Sequence, residues 1–181
     1  GVNISGVTND TLIIDPVSLL DASLNYNVIV SGGCLTNDTS IMVSLTVNAN
    51  TIITSEPSDE FICEGETAVF TVTATSALSY QWRRGIVNLV DGGNISGANT
   101  ATLTIDPTVL VDAAINYNVV VSGTCPISAT SNNAILIFNT APNITSQPTN
   151  QTVCLGDPAS FSVTATGTNL TYQWREGLVD I

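Results

Sequence analysis

Ser79-Tyr80-Gln81-Trp82-Arg83 and Thr171-Tyr172-Gln173-Trp174-Arg175 hold the only two tryptophans of the chain. Each lies in an alternating aromatic run, so each reads as a central β-strand with its Trp pointing into a sandwich core. The two tryptophans are 92 residues apart, and the motifs around them repeat with nearly the same spacing. Ile4-Ser5-Gly6 recurs as Ile95-Ser96-Gly97. Thr11-Leu12-Ile13-Ile14-Asp15-Pro16 recurs as Thr102-Leu103-Thr104-Ile105-Asp106-Pro107, and Asn25-Tyr26-Asn27-Val28 as Asn116-Tyr117-Asn118-Val119, each 91 residues on. Cys34 maps to Cys125, Pro57 to Pro148 and Cys63 to Cys154 at that same offset of 91. A register kept across so many motifs is the mark of a tandem repeat.

The repeat divides the chain. Residues 50–140 form one complete unit, residues 1–49 the C-terminal half of a unit, and residues 141–181 the N-terminal half of another. Gly1 aligns with Gly92 and Ile181 with Leu89. Each half on its own exposes a raw sheet and interior, so the chain reads as a window on a longer repetitive polypeptide. The near-two-period length admits a second arrangement, a polymer of short chains whose terminal halves complete one another.

Within the central unit, Thr51–Ser55 and Glu60–Cys63 read as a first strand broken at Pro57, as an edge strand tolerates. Thr67–Thr75 puts Ala68, Phe70, Val72 and Ala74 on one face. Ser79–Arg84 carries Trp82, and Ile86–Val90 follows a turn at Gly85. Ala101–Asp106 points Leu103 and Ile105 inward. Ile115–Ser122 is expected to point Ile115, Tyr117, Val119 and Val121 inward, and Asn133–Asn139 to point Ala134, Leu136 and Phe138 inward. Seven or eight short strands in one unit, with no helical period, predict an all-β Greek-key sandwich. The linkers Asn48-Ala49-Asn50 and Asn139-Thr140-Ala141 are minimal, which predicts a stiff head-to-tail array.

Composition narrows the function. Only 10% of the residues are charged, against about 25% in an average soluble domain. Net charge is −12, from 15 acidic residues against Arg83, Arg84 and Arg175, with no Lys or His. Phosphate recognition needs clustered Lys or Arg, so a nucleic-acid partner is not expected. Anionic membrane surfaces fall with it, and no run of about 18 apolar residues suggests membrane insertion.

The unit resembles an immunoglobulin-like domain. Glu64-Gly65-Glu66 is similar to the turn opening strand B of intermediate-type domains, Trp82 to the strand C tryptophan, and Asp112-Ala113-Ala114-Ile115-Asn116-Tyr117 to the run entering strand F. The resemblance implies that Trp82, Trp174, Tyr26 and Tyr117 pack in cores rather than form ligand platforms, with the two tyrosines as tyrosine corners. One departure stands out: the positions of the usual B–F disulfide hold Val72 and Val119, so aliphatic packing pins the core.

Cys63-Glu64-Gly65, Phe70-Thr71-Val72-Thr73-Ala74, Tyr80-Gln81-Trp82, Ile95-Ser96-Gly97-Ala98 and Tyr117-Asn118-Val119-Val120-Val121-Ser122-Gly123-Thr124-Cys125 narrow the resemblance. Together they look like the Ig-like repeats of very large surface proteins in Bacteroidetes-type bacteria. That resemblance covers essentially the whole chain. It implies export by the type IX system, a cell-surface location, and a role in adhesins or gliding-motility filaments.

In that fold Cys63 lies at the bottom of the sandwich, and Cys125 stands eight residues above Tyr117, roughly 26 Å at about 3.3 Å per residue. A disulfide needs Cα atoms within about 7 Å. The expectation is therefore inter-repeat staples, with Cys34 and Cys125 bonding to upstream units and Cys63 and Cys154 to downstream ones.

Thr11, in Asp10-Thr11-Leu12, resembles the O-glycosylation signal of that bacterial group. Sequons stand at Asn3, Asn9, Asn37, Asn94, Asn143, Asn150 and Asn169. No nucleophile–base pair suggests catalysis. Asp59-Glu60 and Glu64/Glu66 read as a solvated acidic rim. Asp15/Asp21 and Asp106/Asp112 read as structural hydrogen bonders, ahead of a weak Ca²⁺ alternative, and no other cofactor is expected. Three readings of function stay open: a stalk or filament segment whose partners are neighbouring repeats, an adhesin module binding a surface glycan or protein, and a spacer attached to a secreted enzyme.

Overall fold

The alternating runs of the central unit form eleven short strands in a computed structural model that describes residues 3–181; residues 1 and 2, and with them the pairing of Gly1 with Gly92, lie outside it. The strands are β1 (Ile52–Ser55), β2 (Glu60–Ile62), β3 (Ala68–Thr71), β4 (Thr73–Thr75), β5 (Ser79–Arg84) and β6 (Val87–Asn88), then β7 (Ile95–Ser96), β8 (Thr102–Ile105), β9 (Ala114–Ser122), β10 (Ala129–Thr130) and β11 (Ala134–Phe138). One sheet runs β6-β5-β9-β11-β2, with β10 alongside β9, and the facing sheet runs β7-β8-β3. β4 pairs with β1 at the margin. All ladders of the unit are antiparallel except β11 with β2, which is parallel. Two layers and crossed connections make a Greek-key sandwich.

The period-2 pattern explains the core. Phe70, Val72, Trp82, Leu103, Ile105, Tyr117, Val119, Val121, Ala134 and Leu136 meet between the sheets, all buried. Trp82 is 0% exposed and its Nε1 donates to Thr100 O at 2.9 Å. Phe70 lies between the other two large rings, 6.2 Å from Trp82 and 5.0 Å from Tyr117 by centroid. Val72 and Val119 fill the middle of this cluster with no sulfur present.

One strand departs from simple alternation. Ile115 is 68% exposed rather than inward. The β9–β11 register steps from Ala114↔Leu136 to Tyr117↔Ala134, three residues against two. This bulge adds one residue to β9 and turns Ile115 outward, while Ala114 packs on the core.

Every buried hydrophobic residue among those described lies between Ala68 and Leu136. The flanking halves hold small two-stranded pieces: Ile4–Ser5 with Ile13–Ile14, Ser23–Tyr26 with Val43–Leu45 and Ile29–Val30 with Asp38–Thr39 on one side, and Asn143–Ser146 with Thr164–Thr166 and Arg175–Glu176 with Val179–Asp180 on the other. Among the described residues, no helix is long and apolar enough to cross a membrane.

Candidate functional site

Three features of the fold are candidates for function: the corner before β9, the loop after β6, and the junctions between units. The corner is built by Asn94, Pro107, Asp112 and Tyr117. Asn94 Nδ2 donates to Asp112 Oδ2 at 2.8 Å and to Pro107 O at 3.1 Å. The same carboxylate oxygen accepts the Val109 amide at 2.9 Å. Tyr117 Oη donates to Asp112 O at 2.7 Å, and burial pushes the Tyr117 phenol above its ordinary value.

The first half-unit repeats the arrangement. Asn3 Nδ2 donates to Asp21 Oδ2 at 2.9 Å and to Pro16 O at 3.2 Å, and Tyr26 Oη donates to Asp21 O at 2.8 Å. The Ser18 amide, the Ser18 hydroxyl and Asn3 together hold the Asp21 carboxyl below its usual range. Asn3 and Asn94 were legible only as glycosylation sequons. Both amide hydrogens of each are given to the corner, so neither nitrogen is free to carry a glycan. The repeated Asn-Ile-Ser-Gly ahead of Asp-Pro was the available signal.

Asp106 Oδ1 accepts the Thr67 hydroxyl at 2.7 Å, so it too serves as a hydrogen-bond acceptor. No cluster of three metal-ligating side chains occurs among the described residues. Thr11 is exposed and its hydroxyl donates to Asp10 Oδ1 at 3.2 Å.

Of the acidic rim, Asp59, Glu64 and Glu66 are exposed and Glu60 is half-buried, and most of it, with Glu56, also closes backbone amides. Glu56 accepts from Asn132 N, Asp59 from Ile135 N and Glu66 from Cys63 N, at 2.8–2.9 Å, and Glu64 accepts from Leu110 N at 3.3 Å. The Asp91–Thr100 loop, a candidate for ligand recognition, is largely exposed but braced by its own hydrogen bonds. Asp91 Oδ1 accepts from Ala98 N at 2.7 Å, and Thr100 Oγ1 donates to Thr102 O at 2.8 Å. Gly97 has φ +77, and an added Cβ there would stand 2.1 Å from Thr102 O, so only glycine fits this turn.

The cysteines sit at the junctions. Cys125 Sγ lies 3.4 Å from Asn48 O and 3.5 Å from Ala49 O, on the linker that enters the central unit. Cys63 lies at the opposite end, where it lines a pocket with Glu64, Leu110, Phe138, and Asn139 and Thr140 on the linker that leaves the unit. Asn139 N donates to Ile62 O at 2.7 Å, which fastens that linker beside Cys63. Cys34 and Cys154 are exposed on the half-units, and all four thiols are unbridged.

Apolar grooves also lie on the flanking segments. One is lined by Ile144, Val163, Ala165, Tyr172 and Trp174, another by Val7, Leu12, Tyr26, Val28 and Val43. Trp174 is 40% exposed, in contrast to its counterpart Trp82.

No family model matches the chain, and no curated protein matches it significantly. Among solved structures, immunoglobulin domains 1–5 of Sidekick-1 align over 99% of this chain with a TM-score of 0.55 at 21% identity. An I-band fragment of titin aligns over 75% with a TM-score of 0.53 at 17% identity. The fold is immunoglobulin-like. The chain spans 40% of the Sidekick-1 structure and 49% of the titin fragment. Both are themselves tandems, as this chain is a tandem of immunoglobulin-like sandwiches.

Proposed function

We propose that this chain is a non-enzymatic segment of an extracellular stalk or filament, in which immunoglobulin-like units transmit tension along their length. The observation that carries this reading is the parallel ladder between β2 and β11, Leu136↔Glu60, Ile137↔Phe61 and Phe138↔Ile62. β2 stands near the entry of the unit and β11 at its exit. Tension applied at the two linkers therefore loads these rungs together in shear, and they must break as a group. A hairpin pulled from its open end yields one rung at a time.

The linkers suit the same role. Asn139 is bonded through its amide to Ile62 and through Nδ2 to Phe61 O at 3.0 Å, so the exit strand and its linker are continuous with β2. Asp91 Oδ1 and the Thr100 hydroxyl of the Asp91–Thr100 loop are engaged within the loop and its flank, which favours the stalk over a binding module. The finer setting, a surface adhesin or gliding filament of Bacteroidetes-type bacteria exported by the type IX system, is proposed from the motif resemblance alone. Neighbouring repeats are its proposed partners, and no cofactor is proposed.

Single-molecule stretching of the chain between terminal handles tests the reading. One sharp event is expected, releasing the central unit: residues 51–138 at about 3.4 Å each, roughly 300 Å of contour. Phe61→Pro, which distorts β2 and leaves β5 and β9 intact, should lower the rupture force. A featureless extension, or a force indifferent to Phe61→Pro, would refute the shear mechanism. Binding of the chain on a glycan array would favour the adhesin reading instead.

A further inference from the structure

We propose that Cys63 and Cys125 are the two ends of a disulfide staple that closes each junction between consecutive units. Cys63 bonds the counterpart of Cys125 in a unit that follows, and Cys125 bonds the counterpart of Cys63 in a unit that precedes. The proposal rests on the end-to-end array of the stalk reading, and on nothing in its response to tension.

The entry end of the central unit fixes one thiol. β9 ends at Ser122, and the chain then passes Gly123, where an added Cβ would run into Ser76 O and Thr51 Oγ1. Glycine therefore lets the end of β9 lie against Thr51, at the start of the unit. Thr51 Oγ1 in turn donates to Ser76 O at 3.3 Å. Two residues beyond Gly123, Cys125 Sγ stands 3.4 Å from Asn48 O and 3.5 Å from Ala49 O. It is half-buried there, against the linker through which a preceding unit joins.

The exit end fixes the other. The parallel ladder pairs Leu136 with Glu60, Ile137 with Phe61 and Phe138 with Ile62. One further step in the same register sets Asn139 beside Cys63. The Asn139 amide donates to Ile62 O at 2.7 Å and its Nδ2 donates to Phe61 O at 3.0 Å, so the linker is held to this register. Cys63 is exposed and lines a pocket with Asn139 and Thr140. Its own amide donates to Glu66 Oε2 at 2.8 Å, which anchors the turn that carries the thiol.

The repeat supplies the join. Asn48 and Ala49 lie 91 residues before Asn139 and Thr140. A unit that follows Thr140 as the central unit follows Ala49 sets its counterpart of Cys125 against the Asn139 and Thr140 carbonyls, beside Cys63. The two sulfurs thus approach one pair of linker residues from the two adjoining units. Cys63 and Cys125 of a single unit do not meet, since they stand at opposite ends of the sandwich. Both positions are cysteine wherever the repeat shows them, as Cys34 and Cys125 and as Cys63 and Cys154. Given a disulfide oxidant such as oxidised glutathione, the two thiols at a junction lose two protons and two electrons. One S–S bond forms, and the oxidant disulfide is reduced to two thiols. The bond closes the junction outside the backbone, so the linker no longer connects the units alone.

The test joins two copies of the central unit at their natural spacing, residues 48–141 followed directly by residues 51–141, which keeps the offset of 91. Every buried hydrophobic residue among those described lies within this unit, so each copy brings its own core. Three forms each keep two cysteines, the others being changed by Cys63→Ser or Cys125→Ser. The first keeps Cys63 of the leading copy and Cys125 of the trailing copy. The second keeps Cys125 of the leading copy and Cys63 of the trailing copy. The third keeps Cys63 and Cys125 of the leading copy alone. All three should melt alike when reduced. In a buffer of oxidised and reduced glutathione, intact mass should show the first form losing two hydrogens as a monomer. The second and third should hold only free or glutathione-capped thiols. A first form that closes no bond, or a second or third form that closes one as readily, overturns the proposal. In the full 181-residue chain the same buffer should give no bond between Cys63 and Cys125, and finding one there overturns it too. A failed stretching experiment leaves these masses unchanged, so the staple and the stalk reading fall separately.

Discussion

Replacing Trp82 with Ala should nearly unfold the central unit, while the same change at Trp174 should leave it unaltered. Trp82 is wholly buried between the sheets, beside Phe70 and within hydrogen-bond reach of Thr100 O. Truncating a buried Trp to Ala costs about 3–5 kcal/mol through lost transfer energy and the cavity left behind. The orphaned Thr100 carbonyl adds about 1 kcal/mol. A domain of this size is stable by about 5–10 kcal/mol, so the loss consumes most of the margin. With a urea dependence of about 1 kcal/mol per M, the unfolding midpoint should fall by about 4–6 M. Trp174 lies outside the cooperative core and is 40% exposed. The measurement is a urea titration followed by far-ultraviolet circular dichroism. A loss below about 1.5 kcal/mol for Trp82→Ala, or an equal loss for Trp174→Ala, would show that the tryptophan is not the centre of the core.

Three further outcomes follow from the corner and the turn. Asn94→Ala removes a hydrogen bond to a carboxylate and one to Pro107 O, and should cost about 2–3 kcal/mol by thermal melting; Asn94→Asp should cost more, because it sets a second carboxylate against Asp112. Tyr117→Phe should cost about 1–2 kcal/mol by removing the bond to Asp112 O. Burial holds the Tyr117 phenol above the ordinary 10.0, so its contribution is complete below about pH 10 and is lost as the pH rises through the folded value. The Phe variant should therefore lose stability less steeply than the unaltered chain when melts are compared above pH 10. Gly97→Ala should cost about 2 kcal/mol or more in urea titration, since its Cβ would meet Thr102 O in a left-handed backbone conformation.

Much of the architecture was legible because a strand's side-chain period is two and the repeat supplied an internal check. Trp82, Tyr117, Val72 and Val119 could be set in the core from alternation and spacing alone. Ile115 could not, because a bulge is a matter of register between two strands and leaves no mark on the alternation of one. Asn94 was read as a sequon because its two acceptors, Pro107 O and Asp112 Oδ2, are 13 and 18 residues away. The acidic residues looked like solvated charge, since nothing local reveals that Glu56 and Asp59 close amides 76 residues on.

By itself, then, the sequence determined the period, most of the strand faces, and the location of the cysteines outside the core. These depend on spacing along the chain, and spacing is what a sequence records. Tertiary structure alone decided that the corner is locked by Asn94, that β2 and β11 run parallel, and that Cys125 and Cys63 address equivalent linker residues at opposite ends of the unit. Those depend on which distant segments become neighbours when the two sheets close over Trp82.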